Sequence, residues 1–150
     1  MAKNKVDVLL KTAEVNLRRA EKRLIDGEYD TAVFHASLAV ESCSNALILK
    51  LGGSEAKNHR AVSGLAAVVR RTKPEWLNKE SYKQLVSRGR DIEREVVYTR
   101  YPHKVAGVWT TPMEYYTREK TQEIIDDAKF VVNQINEFLR RTGQTEKEQC

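Results

Sequence analysis

The sequence predicts an all-α protein, an up-and-down bundle of four or five helices. Apolar residues recur at steps of three and four along most of the chain, as on one face of a helix. Seven Gly and three Pro leave little turn chemistry for a β-sandwich or barrel. Short connections favour antiparallel neighbours. We expect 150 residues to form one domain, with an ordered core over about 5–141 and a frayed tail over 142–150.

The first helix is predicted from Lys5 to Ile25. Its apolar residues follow alternating steps of four and three, and most of its basic residues lie off that stripe. Asp26-Gly27 should end the helix, because glycine adopts the left-handed conformation of a C-terminal cap without steric cost.

The second helix is rich in small residues, which let a partner helix approach closely, and it should end at Gly52-Gly53. Glu41 lies in its middle, on a stripe of apolar residues. Its carboxylate is therefore expected to be partly buried and to need a partner. Either an arginine supplies an internal ion pair, or Glu41 belongs to a polar site with Asn45, one turn further on.

Two shorter stretches of helix follow in the sequence pattern. A third helix should begin just after His59 and close with a cluster of positive charge, which suits a helix C-terminus. The fourth helix is expected to end near Thr99, because Pro102 cannot continue it and restricts the residue before it.

The C-terminal third is predicted to be a loop followed by one helix. The stretch from Lys104 to Met113 has the composition of a loop, with Trp109 as its large apolar anchor. The last helix should begin near Pro112 or Thr117 and end at Gly143.

The second and last helices each carry two neighbouring apolar stripes. Four helices would not cover so much apolar surface. We therefore predict a homodimer that forms through a helix face.

Composition and motifs exclude several classes of function. The chain has no apolar run near the length of about 18 residues that spans a membrane, and no signal-type segment, so a cytoplasmic protein without a membrane partner is expected. It lacks a complete phosphate-binding P-loop, and its His and Cys residues lack zinc-ligand spacing. We predict no cofactor and no metal. A net charge of +5 favours a phosphate-bearing partner or is an ordinary basic surface.

The candidate site is the hexapeptide from Tyr98 to His103, where basic, aromatic and titratable residues follow a helix end. Arg100 could bind phosphate while Tyr98 or Tyr101 stacks on a base. His103 could take part in acid–base chemistry or contact phosphate, since the pKa of histidine lies near neutrality. The alternative is structural: Arg100 forms a salt bridge with Glu41 or Glu95, and the tyrosines pack against the bundle.

Several of these features together resemble the prokaryotic HEPN domains. The family pattern is an alanine-rich second helix with a glutamate, a histidine that opens the next helix, and a Tyr-x-x-Arg-Tyr-Pro element. The matching residues are Ala32 to Leu47, His59, Tyr98 to Pro102, Tyr115-Tyr116-Thr117 and Ala128.

The resemblance implies a helical bundle similar to the C-terminal domain of kanamycin nucleotidyltransferase, usually dimeric. Such proteins are often encoded beside a minimal nucleotidyltransferase, as a toxin–antitoxin-like or nucleotide-binding pair. The family residues carried over by position are Glu41, His59, Tyr98, Arg100, Tyr101 and Pro102.

HEPN ribonucleases use an Arg-x4–6-His motif, and this chain lacks it. Two residues separate Arg100 from His103, and eight separate Arg94 from His103. The resemblance therefore favours a non-catalytic protein.

Three functions remain open at this point. The first is a dimeric HEPN protein that binds nucleotide or RNA phosphate through Arg100, Tyr101, Tyr98, His103, Glu41 and His59 and acts with a nucleotidyltransferase partner. The second is a metal-independent endoribonuclease, with Arg100 and His103 as its catalytic pair. The third is a pure protein-interaction module.

Overall fold

The computed structural model describes residues 4–149, and their side chains over residues 4–143. It contains six helices within the described range, and the predicted all-α bundle is confirmed. They are α1 (Lys5–Ile25), α2 (Tyr29–Lys50), α3 (Ala61–Thr72), α4 (Lys79–Arg100), α5 (Pro112–Tyr115) and α6 (Arg118–Gln149).

Helix α2 is the centre of the bundle and contacts α1, α3, α4 and α6. Its alanines and serines allow these close approaches, and most of its residues are buried. No apolar run of membrane-spanning length was expected from the sequence, but this helix is long and apolar enough to cross a membrane by length and composition alone. The core helix of a bundle has the same composition, and the other helices bury most of α2.

Helix α1 has the predicted bounds, and local caps explain both ends. The Asn4 side chain accepts a hydrogen bond from the Asp7 backbone N–H at 2.9 Å, which satisfies one of the unpaired donors at the N-terminus. Gly27 follows the last turn with φ +77°. A residue with a side chain would be strained in that conformation.

A β-hairpin stands where the sequence analysis places a loop. Strands β1 (His103–Val105) and β2 (Val108–Thr110) pair antiparallel. Ala106 and Gly107 form the two-residue turn, with φ +49° and +79°, the positive angles that a tight hairpin turn requires. Trp109 is not an apolar anchor, since 69% of it is exposed. It lies beneath the ammonium group of Lys104, 5.3 Å from the ring centroid.

The last helix is also longer than predicted. A short α5 begins at Pro112, one of the two predicted starts, and α6 begins after Thr117, the other. Helix α6 passes through Gly143 and continues to Gln149, so the predicted end at Gly143 is wrong. The predicted frayed tail over 142–150 reaches Cys150, which lies outside the described residues, and stays a prediction.

The double stripe of α2, on which the dimer prediction rests in part, is only partly covered within the chain. Val33, Ala36 and Val40 are buried, whereas Phe34 and Leu38 stay partly exposed. Most of the large apolar side chains that are exposed among the described residues lie around the end of α4, the hairpin and α5. They are Val97, Tyr101, Val105, Val108, Trp109 and Met113, and the other two, Val8 and Ile25, lie on α1. Dimerisation itself stays a prediction.

Helices α3 and α4 meet at a glycine. A Cβ atom added to Gly89 would lie 2.8 Å from Cγ2 of Val62, closer than two carbon atoms can approach without displacement. Gly89 therefore sets the separation of α3 and α4, and with it the width of the surface groove between them.

We predict that Gly89→Ala lowers the free energy of unfolding by about 1–2 kcal/mol, because overpacking outweighs the helix propensity that alanine adds. Urea denaturation measures the change. Gly143→Ala is the matched control, since a Cβ there meets nothing within 4 Å, and it should stabilise α6 by about 0.5–1 kcal/mol. Equal stabilisation by both variants would contradict the tight contact. Val62→Ala combined with Gly89→Ala should cost less than the sum of the two single changes.

Candidate functional site

An open groove of about 640 Å³ lies between the α2–α3 loop and the C-terminal half of α4. Basic side chains dominate its lining, and both elements contribute to it. The groove residues that carry a charge or a ring are His59, Arg60, Arg90, Glu93, Arg94, Arg100 and Tyr101. A second hollow of about 580 Å³ continues along α3 and α4 and shares Arg90 and Arg94 with the first.

Arg100 is exposed at the end of α4 and lines this groove. Its guanidinium carbon lies 5.0 Å from the centroid of the Phe34 ring on α2, so a cation–π contact steadies it. The carboxylates proposed as its structural partners have other partners. Glu41 pairs with His59, and Glu95 accepts a hydrogen bond from the Tyr116 hydroxyl at 2.6 Å.

Glu41 and His59 are joined directly. Oε2 of Glu41 lies 2.8 Å from Nδ1 of His59, with 23% of the glutamate side chain and 40% of the histidine side chain exposed. Because an ionised carboxylate only accepts, Nδ1 must carry the hydrogen. Nε2 is then the nitrogen of a neutral His59 that can accept a proton.

The loop that carries His59 is attached to α2 at two points. Asn45, one turn after Glu41, accepts a hydrogen bond from the Ala56 backbone N–H at 2.9 Å. His59 itself has φ +56°, a left-handed conformation that bends the chain into α3. The polar residues of the alanine-rich helix thus position the start of α3 and the neighbouring Arg60.

Glu93 is a site residue that the sequence analysis missed. Its Oε1 accepts a hydrogen bond from the Val62 backbone N–H at 2.5 Å, and so caps α3, whose own N-cap residue Arg60 makes no side-chain cap. Burial raises the pKa of Glu93 to about 7. The hydrogen bond from Val62 and the charge of Arg90 both lower this pKa, but the effect of burial is larger. A glutamate 31 residues away along the chain gives no local signal of capping.

His103 and Tyr98 lie in an aromatic cluster rather than in the groove lining. The His103 ring is 4.4 Å from the centroids of both Tyr98 and Tyr115, and its Nδ1 is buried with no hydrogen-bond partner among the described residues. The His103 ring therefore packs between Tyr98 of α4 and Tyr115 of α5. Of the predicted site residues, the groove lining therefore contains His59, Arg100 and Tyr101. Glu41 contacts His59 from α2, and His103 and Tyr98 are not part of the lining.

Known proteins share this helical bundle. The family model of the HEPN domain matches residues 6–138. The chain belongs to the HEPN domain family. The curated protein "Putative toxin MJ1304" of Methanocaldococcus jannaschii is 29% identical over 133 residues, which cover 89% of this chain and 87% of that protein.

Two solved structures share the fold of this chain over nearly their whole length. TT1696 from Thermus thermophilus superposes with a TM-score of 0.72 at 27% identity, over 90% of this chain and 98% of that one. ST0689, titled an archaeal HEPN homologue, gives a TM-score of 0.66 at 22% identity, over 89% and 97%. At that identity the second likeness shows the fold alone.

The raised pKa of Glu93 predicts a pH dependence of stability. Between the ordinary glutamate value of 4.5 and about 7, the folded state binds more protons than the unfolded state. Stability conferred by the protonated carboxyl is therefore lost as pH rises through this window. The loss of stability with rising pH should be smaller in Glu93→Gln than in the parent. At pH 8 the free energy of unfolding of the variant should be higher by about 1–2 kcal/mol, a value that allows for solvent screening of the partly exposed carboxyl group.

Thermal unfolding at pH 5 and pH 8 measures this difference. Glu14→Gln, an exposed change in the middle of α1, is the matched control and should follow the parent protein. A Glu93→Gln variant with the same slope as the parent would contradict the assignment.

Proposed function

We propose that this HEPN protein is a toxin-like protein that binds the phosphate groups of RNA or of a nucleotide in the groove between the α2–α3 loop and α4. The observation that carries the proposal is the lining of that groove, to which Arg60, Arg90, Arg94 and Arg100 all contribute. Arginine suits phosphate because its planar fork of donors matches two phosphate oxygens at once.

The charges around the groove support an anionic ligand. Asp91 pairs with Arg94 at 3.2 Å, and Glu93 has its oxygen on the α3 backbone. Arg100 rests on an aromatic ring rather than a carboxylate, so an anion does not have to displace an internal partner to reach it. Tyr101, 60% exposed at the same end, offers a ring for a base or sugar.

The biological setting of the proposal follows the family. The toxin-like role rests on the name of the M. jannaschii relative. We propose a cytoplasmic homodimer, formed through the exposed apolar residues around the hairpin, that acts with a nucleotidyltransferase partner and uses no cofactor. The apolar cluster at the hairpin supports the dimer because exposed patches of this kind mark protein contacts.

Arg100→Ala should weaken binding of RNA about tenfold, because a charge-assisted contact to phosphate is lost. Fluorescence anisotropy at two salt concentrations measures the affinity, and the variant should also have a smaller salt slope. Arg118→Ala, an exposed arginine at the start of α6, is the control and should bind as the parent does. Equal binding by both variants would contradict the proposal and leave the interaction module as the function.

A second candidate, a metal-independent endoribonuclease, is favoured by the Glu41–His59 contact. Nε2 of His59 would take the proton of a ribose 2′-hydroxyl, whose oxygen attacks the adjacent phosphorus. The 5′-oxygen leaves with a proton from solvent, and a 2′,3′-cyclic phosphate remains. Arg100 would stabilise the charge that develops on the phosphate oxygens. In this chemistry His59 replaces His103, since it is His59 that lines the groove.

Cleavage assays in EDTA test this candidate. This candidate predicts that the parent and His103→Ala both cleave RNA, and that cleavage falls at least about a hundredfold in His59→Ala. Glu41→Gln should lower the cleavage rate less than His59→Ala does. It should also shift the pH profile of the rate, because a neutral amide does not stabilise the positive charge of a protonated His59. Loss of cleavage in His103→Ala alone would instead support the Arg100–His103 pair. No cleavage by the parent would leave phosphate binding as the function.

A further inference from the structure

The groove described above does not end at Arg94. The hollow along α3 and α4 shares Arg90 and Arg94 with it and continues to Arg70, Tyr82 and Lys83. The two hollows therefore adjoin at Arg90 and Arg94, and together they follow α4 from Tyr82 to Tyr101. We refer to the two hollows together as the channel. Helices α3 and α4 both contribute residues to this second hollow.

Seven residues of α4 line the second hollow, and the three basic ones among them lie on one stripe of the helix together with Ser87. Lys83, Ser87, Arg90 and Arg94 follow steps of four, three and four along α4, and so lie on one stripe of the helix. Successive members are separated by about 4.5–6 Å along the helix axis. This row faces Arg70 from α3 across the hollow. A single phosphate group needs one or two of these cations, and the row supplies three.

An aromatic side chain lies towards each end of the channel. Tyr82 lines the hollow at the start of α4, and Tyr101 lines the groove at its end. The two are separated by 19 residues, or about 28 Å of helix. Aromatic rings stack on the faces of unpaired bases, whereas a duplex keeps those faces covered. At about 3.4 Å per nucleotide, the distance matches roughly eight nucleotides of a stacked strand.

We infer that the channel between α3 and α4 binds a single-stranded oligonucleotide of about eight residues, with phosphates along the basic stripe and bases towards Tyr82 and Tyr101. The inference rests on the proposed phosphate site and names the class of ligand that fills it. Asp91 is the acidic residue in the lining of the second hollow, and its ion pair with Arg94 is exposed on both sides, so water screens it and a phosphate can compete for the arginine.

Binding of labelled 2′-O-methyl oligouridylates of two, four, eight and twelve residues tests the inference, since these strands resist attack by a 2′-hydroxyl. Fluorescence anisotropy should show at least a tenfold gain in affinity from two to eight residues and little from eight to twelve. An eight-base-pair duplex of the same backbone should bind at least tenfold more weakly than the single strand.

A matched pair of variants separates the channel from general electrostatic attraction. Arg70 lines the hollow and the adjacent Arg71 does not, although both are exposed at the end of α3. Arg70→Ala should weaken the octamer about three- to tenfold and leave the dinucleotide unchanged, and Arg71→Ala should change neither. Equal effects of the two variants, or an octamer that binds no better than a dinucleotide, would overturn the inference.

Arg100→Ala distinguishes failure of this inference from failure of the proposed function. If it weakens both the dinucleotide and the octamer while Arg70→Ala has no effect, the phosphate site stands and the longer channel is wrong. If Arg100→Ala changes neither ligand, the proposed phosphate site itself is wrong, and the channel with it.

Discussion

The hydrogen bond between the Glu41 carboxylate and His59 is the contact on which the candidate site depends. Helix α2 is packed against the five other helices and supplies a rigid base, and Glu41 and Asn45 tie the α2–α3 loop to it. The loop fixes Arg60 and the start of α3. Glu93 then caps α3 from the side of α4. One wall of the groove is thereby attached to the core through polar contacts as well as through the buried side chain of Val62.

Cationic side chains outnumber carboxylates in the groove lining, which contains four arginines and one acidic residue, Glu93. The carboxylates nearest to the groove are engaged by a histidine, a backbone N–H and a neighbouring arginine. Arg100 is held by the Phe34 ring, a contact that fixes the guanidinium without neutralising it. A salt bridge at that position, which the sequence left open, would have stabilised the helix end and weakened the attraction for an anion.

Elements defined by local signals were predictable from the sequence, and elements defined by long-range contacts were not. Helix α1 has the predicted bounds because Gly27 is a local cap, and α4 ends at Arg100 because Pro102 follows closely. The hairpin was missed because its turn places Ala106, not Asn or Asp, in a left-handed conformation. Because His103 is the first residue of that hairpin, it lies in the aromatic cluster with Tyr98 and Tyr115, whereas Arg100 lines the groove. The other groove arginines gave no signal, since charged residues on a helix surface are common.

The most direct measurement of the central claim is a nuclear magnetic resonance titration that observes arginine Nε–Hε groups as an octauridylate is added. We expect the resonances of Arg60, Arg90, Arg94 and Arg100 to move together and saturate at one equivalent per chain, with Arg18 on α1 and Arg118 on α6 unchanged. Shifts spread evenly over all arginines, or confined to those outside the groove, would contradict a phosphate site between the α2–α3 loop and α4.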